Sequence, residues 1–589
     1  MPTDSFSREY KGPYNRMVVV ESLVPNPTAI FPEGTVVYDR STAQFYRLSG
    51  EWIQLPKGPK GDPGDLIAVD LAADGSTDDT AALQAAVDEA SMFGRAIMLP
   101  PGVILVSSIN ITGNLTMFGQ GMGLTTLKTS GGNTLQRLGT GTTYRNIHLS
   151  DFTLDGGDVA FSSPLVMEWV EDVVVERVEV KNFTGWGMSF GATTNGLDTN
   201  YRARRITVRD CYYHDPTAGN TLEALLIFNA KTVTVDNCRF ENATAVSDTN
   251  AIGIYQIADE ITVSKCLLDG WARGVYYSVS TNGILVEGCT FLDNIAGLTG
   301  ANESDNGKFG FDVVRNLQVR DCTFRGNTVA ATVGAVLGGS VTGCLFDENV
   351  DNALVIDDGN TPISQPCQHI LIENTTFVNN NQSATFHSLH PGILVQSKAH
   401  SDITIADCRF YDDQGTPTQW VPISFVGDFT FQRVTIRGSY LRSYSSSDPI
   451  ILADSAVLGD GCQSIGNTIL PGGATVPAVM SNVRMEAGNL FARTNTATQV
   501  GLGALGPGGQ AAVQLGSAGL RKIYDGGTGT IGVSTADSVV NAVFDVPASD
   551  AHTGFWLCWR DGAVLKTVRV RVGATNSAGT GFRTLQIEN

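Results

Sequence analysis

The chain of 589 residues has few charged residues, 17% of the total, and it lacks an excess of positive charge. Its 39 lysines and arginines are outnumbered by 59 aspartates and glutamates, which gives a net charge of −20. Because phosphate neutralisation requires clustered basic side chains, we expect no nucleic-acid partner. No apolar run approaches the roughly 18 residues of a membrane span. We therefore expect no membrane insertion.

Several catalytic and metal-binding motifs are also missing. The sequence has no phosphate-binding G-x-x-x-x-G-K-[ST], no H-E-x-x-H and no C-x-x-C, so we expect no metal or other cofactor. Residues 187–191 match G-x-S-x-G, but no helical pattern follows them as a nucleophile elbow requires. The acidic bend of Asp347, Glu348 and Asp351 has ligands suited to calcium, although aspartate is also an ordinary turn residue, which is the interpretation we favour.

What the sequence does contain is a repeat, I-x-V-x-x-C-x-F with substitutions, from about residue 145 to residue 470. Successive copies lie 22 to 33 residues apart. Within a copy, apolar residues alternate, skip two polar residues and alternate again, which predicts two short strands separated by a bend. A third strand precedes most copies, as in 251–257, 309–313 and 392–396. The clearest copies are 206–213, 233–240, 284–291, 317–324 and 403–410.

Three strands and three bends per repeat predict an all-β fold, a right-handed parallel β-helix of about 11 or 12 coils. Leucine-rich repeats are the competing architecture. They require leucine-dominated frames and usually a helix per repeat, whereas Val, Ile, Phe and Cys dominate here. Most of the ten cysteines occupy the inward ladder position, so we expect them to be free and buried, as in a protein made in a reducing cytosol. The first ten residues carry no basic-then-apolar export signal.

Three pieces precede the repeat. Residues 1–56 alternate apolar and polar residues around turns and predict a small β module. Residues 57–66 place glycine at every third position over Gly58–Gly64, which fits either a collagen-like neck or a Pro/Gly linker. A collagen-like neck would require a trimer. Residues 74–90 predict a capped helix that buries Leu83, Ala86, Val87 and Ala90 and ends at Gly94.

The segments Asp74-Gly-Ser-Thr-Asp-Asp-Thr-Ala-Ala-Leu-Gln and Gly94-Arg-Ala-Ile-Met-Leu-Pro-Pro-Gly102 resemble the entry of pectate-lyase-like β-helices, which are widespread in bacteriophage tailspikes and tail fibres. The resemblance is specific over residues 68–130. It implies that the helix plugs the first coil of a β-helix spanning 67–474. It further implies a homotrimer, present in the virion and made in the host cytoplasm, whose N-terminus attaches to the phage tail, baseplate or an adaptor protein.

Residues 475–589 lose the repeat. Alternation in 566–572, with 540–546 and 554–559, suggests a β-sandwich. Trimerisation and recognition of a receptor or glycan both remain open for this domain.

Alignment of the strand that precedes each repeat copy predicts a catalytic pair. One outward position is occupied in successive copies by Phe228, Tyr255, Ser278, Asp312, Asp357 and Gln396. Two coils between the aspartates amount to about 9–10 Å. Inverting glycosidases hold their two carboxylates about 6.5–9.5 Å apart. We therefore predict Asp312 and Asp357 as catalytic residues, while solvent-facing aspartate remains the alternative. For substrate binding we predict Tyr255, Tyr276, Trp271, Gln396 and His387.

Two functions follow from this pattern and the resemblance. The first is a tailspike that binds and depolymerises a bacterial surface polysaccharide, either lipopolysaccharide or capsule, by glycoside hydrolysis. The second is a non-enzymatic receptor-binding fibre whose β-helix is a rigid stalk. A lyase is a third variant, which requires a base such as Lys308 or Lys398 in the groove.

Overall fold

The structure is a computed structural model. It describes residues 66–139, 142–191, 202–217, 222–243, 249–255, 257–278, 281–300, 313–358, 365–383, 391–444 and 456–470. Further strands, without their side chains, are described within 17–54, at 450–453 and within 485–588.

The centre of the molecule is a parallel β-helix built from two large sheets, as the repeat predicts. One sheet, called sheet 1, has 13 strands, one from each coil. Its strands are Ile109–Asn110, Leu135–Arg137, Leu165–Met167, Met188–Phe190, Leu225–Phe228, Asn250–Tyr255, Arg273–Tyr277, Ala296–Gly300, Val329–Gly334, Leu354–Asp357, Ile393–Val395, Ile423–Val426 and Ile450–Ala453.

The second sheet, called sheet 2, has 30 strands, because most coils contribute two. They are Leu66–Ala68, Asp74–Asp78, Ala96–Met98, Gly102–Val106, Leu115–Phe118, Thr125–Thr129, Tyr144–Asp155, Val170–Lys181, Ala203–Arg209, Tyr212–His214, Ala230–Asp236, Arg239–Glu241, Asp259–Ser264, Leu267–Asp269, Asn282–Glu287, Thr290–Leu292, Val314–Arg320, Thr323–Arg325, Val336–Thr342, Leu345–Asp347, Gln368–Glu373, Thr376–Val378, Ser401–Ala406, Arg409–Tyr411, Thr435–Arg437, Tyr440–Arg442, Gln463–Ile465, Thr468–Leu470, Met485–Ala487 and Leu490–Phe491.

The bend inside each repeat has a local cause. Its second polar residue adopts the left-handed conformation, with φ of 55° at Asp210, 52° at Asn237 and 67° at Gly343. Asp, Asn and Gly tolerate this region better than other residues. The two polar residues that interrupt each apolar alternation therefore turn the chain between two strands of sheet 2.

Inside the coils, equivalent residues stack into ladders. Aromatic rings of neighbouring coils lie parallel, with centroids 4.4 to 4.9 Å apart, and Leu268 separates the first pair from the other five rings. All are fully buried, and offset stacking of such rings adds to the free energy of burial. The members are Tyr213, Phe240, Phe291, Phe324, Phe346, Phe377 and Phe410.

The predicted state of the cysteines is confirmed for the nine whose side chains are described, since all nine are free and buried. Seven occupy the ladder position, where the thiol of Cys211, for example, donates to the carbonyl of Arg209. Burial raises the pKa of Cys367 and of Cys408 to about 12. A buried thiol that resists ionisation reacts slowly.

A third ladder consists of buried amides at a turn between the sheets. Asn294, Asn327, Asn349 and Asn380 are each at most 1% exposed. Each amide accepts a hydrogen bond from the preceding coil and donates to a main-chain carbonyl of that coil. The ladder satisfies main-chain groups that the turn would otherwise bury without partners.

The entry helix begins later than the sequence predicts. It spans Thr80–Phe93, ends at Gly94 with φ 66°, and buries the predicted face. Residues Asp74–Asp78 form a strand instead, in which the Asp74 carboxylate accepts hydrogen bonds from Ser76 and Thr77. Those local bonds compete with the helix and delay its start.

The remaining strands form smaller sheets. The first module has a four-stranded sheet of Met17–Val20, Val36–Asp39, Gln44–Ser49 and Glu51–Gln54. Thr430–Phe431 pairs with Val457–Leu458. The C-terminal region contains a four-stranded antiparallel sheet of Val500–Gly506, Gly509–Leu515, Leu520–Asp525 and Thr530–Ser534, and a three-stranded one of Gly554–Asp561, Val564–Val572 and Leu585–Glu588.

Parallel pairing of sheet 2 continues to Phe491, beyond the predicted boundary at 474. Across the described residues, the only α-helix has 14 residues, and no helix meets the length and hydropathy of a membrane span.

Candidate functional site

A polar cluster lies on the outward side of sheet 1, along the edge where the chain enters its strands. Gly187 N donates to Glu223 O at 3.1 Å, and Ala224 N donates to Asn250 O at 2.9 Å. Asn250 is in turn the parallel partner of Arg273. Four consecutive coils therefore place Trp186, Glu223, Asn250 and Arg273 in one row.

Glu223 is the centre of this cluster. Its side chain accepts three hydrogen bonds: from Trp186 Nε1 to Oε2 at 3.0 Å, and from Asn250 Nδ2 and Tyr255 Oη to Oε1 at 3.0 and 2.5 Å. Asn250 Nδ2 also lies 2.9 Å from Tyr255 Oη. Glu223 as a whole is only 6% exposed. A buried carboxylate is costly unless donors compensate the lost hydration, and here three side chains from the two neighbouring coils do so.

The backbone leaves room for this arrangement at one glycine. A Cβ atom at Gly253 would lie 2.5 Å from Glu223 Cγ and 2.5 Å from Tyr255 Cε2. Any larger residue would displace the two side chains that share the short hydrogen bond. Gly253 therefore fixes the geometry of the Tyr255–Glu223 pair.

Two aromatic rings and one cation complete the cluster. The rings of Tyr255 and Tyr276 have centroids 5.2 Å apart, and the guanidinium of Arg273 lies 5.4 Å from the Tyr276 centroid. Arg273 Nη1 also donates to Asn250 Oδ1 at 3.2 Å. A half-buried phenol, a carboxylate and a guanidinium can together move a proton and bind a polar ligand.

The predicted substrate-binding aromatics differ in their outcome. Tyr255 lies in the cluster and is half-buried. Tyr276 faces outward as predicted, but only 3% of it is exposed, since Tyr255 and Arg273 cover its ring. Trp271 was predicted wrongly, because its side chain is 0% exposed and belongs to the hydrophobic core. A sugar ring cannot stack on a core side chain.

The alignment that paired Asp312 with Asp357 was also wrong. The strand of that coil in sheet 1 is Ala296–Gly300, whose Gly300 pairs with Tyr277, and not residues 309–313. Asp312 itself lies outside the described residues, as do His387 and Lys308.

Asp357 and Gln396 do occupy adjacent coils at the predicted outward position, because Ile356 pairs with Val395. Next to them, Lys398 Nζ lies 3.8 Å from Asp358 Oδ2. Four coils separate Asp357 from Tyr255, about 19 Å. These residues are therefore not part of the Glu223 cluster.

Sequence reasoning missed four residues of the cluster: Trp186, Glu223, Asn250 and Arg273. The available signal was an acidic residue directly before the apolar run Ala224-Leu-Leu-Ile-Phe228. Alignment of the residues that precede each strand of sheet 1 would have placed Glu223 beside Asn250. Their separation by loops of unequal length conceals this relation.

A second polar group occupies the outer face of sheet 2. His214 lies between two carboxylates, with Nε2 2.9 Å from Glu179 Oε1 and Nδ1 2.7 Å from Asp215 Oδ2. Although burial opposes its charge, these bonds raise the pKa of His214. The hydrogen bond from His214 lowers the pKa of Glu179 to about 2, against the effect of burial and with help from Thr153. Within the described residues, no group of three or more His, Cys, Asp and Glu side chains is placed to hold a metal ion.

Comparison with known proteins bears on the fold. A family model described as rhamnogalacturonase A/epimerase, pectate lyase-like, matches residues 69–355, and one described as right handed beta helix region matches residues 298–420. The chain folds as a right-handed parallel β-helix. The predicted fold class is confirmed.

Relatives of the β-helix include the mannuronan C5-epimerase AlgE3 of Azotobacter vinelandii, 32% identical over 167 residues that cover 24% of this chain and 8% of that protein. AlgE5 of the same organism is 28% identical over 254 residues, 38% of this chain and 24% of that protein. The chain thus spans less than a quarter of the length of either relative.

Solved structures similar to the β-helix include the A-module of the Azotobacter vinelandii mannuronan C-5 epimerase AlgE6, with a TM-score of 0.43 and 16% identity over 72% of this chain and 98% of that one. The N-terminal fragment of bacteriophage Phi29 gene product 12 has a TM-score of 0.40 and 11% identity over 81% of this chain and 95% of that one.

Proposed function

We propose that the β-helix binds a polysaccharide along the outward side of sheet 1 and hydrolyses it at the Glu223 cluster. The observation that carries this proposal is a buried carboxylate, Glu223, held by tryptophan, asparagine and tyrosine on the outside of the solenoid. The core gains nothing from this cluster, because the core is formed by the inward residues. Sequence relatives named for acting on mannuronan, a polysaccharide, support the substrate class.

In the proposed reaction, Tyr255 and Glu223 act as one base. The phenol oxygen of Tyr255 takes a proton from the attacking water while its own proton passes to Glu223 Oε1, which lies 2.5 Å from that phenol oxygen. The water oxygen bonds to the anomeric carbon as the glycosidic C–O bond breaks, and the leaving sugar oxygen takes a proton from solvent water. Asn250 fixes both oxygens through its amide, so little reorganisation is needed. Positioned acid–base groups of this kind typically contribute about 10²–10⁴-fold in rate.

The biological setting that we propose is the virion of a bacteriophage. There the chain is a homotrimeric tailspike or tail fibre, with residues 1–56 attached to the tail, baseplate or an adaptor protein, and the polysaccharide is the lipopolysaccharide or capsule of the host. The sequence supports this through its order of segments: a β module, a Gly/Pro neck, a helix-capped solenoid and a separate C-terminal region. Residues 475–589 serve trimerisation or receptor binding.

The test is to incubate the purified full-length protein with mannuronan, capsular polysaccharide and lipopolysaccharide, and to measure reducing ends. Glu223→Gln and Tyr255→Phe should each lower turnover about 10²–10⁴-fold while binding persists. The chain offers a matched control, because Tyr212 Oη donates to Glu241 Oε2 at 2.6 Å on sheet 2. Tyr212→Phe should leave turnover unchanged. If the products instead absorb as unsaturated sugars, the protein cleaves by elimination and not by hydrolysis.

The second function is a receptor-binding fibre without hydrolysis. It is favoured by the low exposure of Glu223, 6%, and by the coverage of Tyr276 and Trp271. On this alternative the wild-type protein binds polysaccharide but releases no fragments, and Glu223→Gln affects only stability.

A further inference from the structure

One residue near the cluster combines exposure with backbone strain. The side chain of Phe161 is 85% exposed, and its φ is 58°. A bulky residue in the left-handed region is an outlier, and its strained backbone costs free energy. Exposure means that burial does not offset this cost. Strain at an exposed ring points to a role outside the fold.

The loop that carries Phe161 is held by hydrogen bonds from the following coil. Thr184 Oγ1 donates to the carbonyl of Val159 at 2.5 Å and accepts from Ser162 N at 2.9 Å. Gly185 N donates to Ser162 O at 2.8 Å. The ring is therefore displayed by a fixed backbone on both sides of residue 161.

This loop lies in line with the Glu223 cluster. Ser163, two residues after Phe161, accepts a hydrogen bond from Trp186 N at 3.1 Å, and Trp186 donates its indole N–H to Glu223. Phe161 thus stands at the same edge of sheet 1, two coils before Glu223. Two coils correspond to about 10 Å along the solenoid axis.

We propose that Phe161 is a sugar-stacking platform, a subsite for the same polysaccharide two coils away from Glu223. This inference rests on the proposed function. A sugar ring has an apolar face of C–H groups and a polar rim, which suits a single ring beside the exposed Asp158. A second protein chain would require a wider apolar surface. A polymer that runs along the axis contacts both positions at once.

The experiment uses Phe161→Gly in the full-length protein, because glycine adopts φ 58° without strain. The melting temperature should stay unchanged or rise, whereas the Kd for mannuronan or capsular polysaccharide should increase about 3- to 10-fold, as the loss of one aromatic stacking contact predicts. In turnover, KM should rise with kcat unchanged. Phe161→Trp keeps an aromatic ring at this position and should bind with a Kd close to that of the wild type. Met92→Ala, at a residue 76% exposed on the entry helix, should alter neither quantity.

Distinct results would overturn the proposal. A lower melting temperature in Phe161→Gly would show that the ring stabilises the fold. A change in sedimentation mass would show that the ring forms a contact between copies of the chain. An unchanged Kd, or a wild-type protein that binds none of the polysaccharides, would also refute the subsite. If the wild type binds without releasing fragments and Phe161→Gly still weakens binding, hydrolysis at Glu223 fails while the subsite stands.

Discussion

Replacing Asn327 with alanine should destabilise the solenoid strongly, although the residue is far from any ligand. Its Oδ1 accepts from both nitrogens of Asn294, N at 3.1 Å and Nδ2 at 2.9 Å, and its Nδ2 donates to Phe291 O at 3.0 Å. The site is 0% exposed, so water cannot replace the amide. The backbone N–H of Asn294 and the carbonyl of Phe291 each lose a partner. At about 1–3 kcal/mol for each unsatisfied group, the free energy of unfolding should fall by about 2–6 kcal/mol.

Urea unfolding followed by circular dichroism measures this loss, and amide hydrogen exchange locates it. Exchange should increase first in coils 291–349, because each coil contacts only its neighbours. Asn133→Ala is the control, since Asn133 is half-buried in a loop and makes its side-chain bond to Gln136 at 2.9 Å. It should cost less than about 1 kcal/mol. Equal effects of the two substitutions would refute the argument that buried amides hold the turns.

Three further predictions concern packing, pH and thiol chemistry. Gly300→Ala should lower the melting temperature, because its Cβ would lie 1.9 Å from the buried ring of Tyr277, whereas Gly415→Ala, with nothing within 4 Å, should not; equal melting temperatures would contradict this. Since the folded pKa of His214 is raised above its ordinary 6.5, the stability it contributes is complete below that value and is lost as the pH rises through the folded pKa. His214→Gln should therefore lower the free energy of unfolding more at about pH 5.5 than at about pH 9. An effect that does not depend on pH would show that the bond to Glu179 does not involve a positively charged His214. Thiol titration of the native protein should leave the nine buried cysteines unreacted, and denaturant without reductant should expose them; disulfide-linked peptides would contradict it.

The coils were predictable because one physical constraint acts at every repeat. Inward residues must fill the same cross-section, so Cys211 and Cys238, or Phe324 and Phe346, recur at the same place in the motif. Local bonds were harder to foresee, as the late start of the entry helix shows.

The misplaced strand has a packing explanation. Residues 309–313 alternate like a strand, whereas Ala296–Gly300, the actual strand, has one large apolar residue, Leu298, among small ones. Positions 297 and 300 are glycine because rings of neighbouring coils fill the space there. The ring of Tyr277 lies where a side chain at Gly300 would be, and Phe324 lies 3.0 Å from a Cβ at Gly297. Hydrophobic alternation within one strand does not reveal rings that reach over from another coil.

The Glu223 cluster was unpredictable for a related reason. Its hydrogen bonds join residues 27, 32 and 37 positions apart, and each residue type is common. Only the register of sheet 1, set by loops of different lengths, brings them together. Tyr255 was found because it lies within a recognisable strand.

The ladders of the solenoid make its length an adjustable property. Each of the 13 strands of sheet 1 adds one step of about 4.8 Å, so the rod extends roughly 60 Å. Since most coils between Cys211 and Phe410 present the same aromatic and thiol surfaces to the next, duplication of one of these repeats in a gene would lengthen the rod by one step without a new core. Reach could therefore evolve in discrete increments, independently of the residues that bind a ligand.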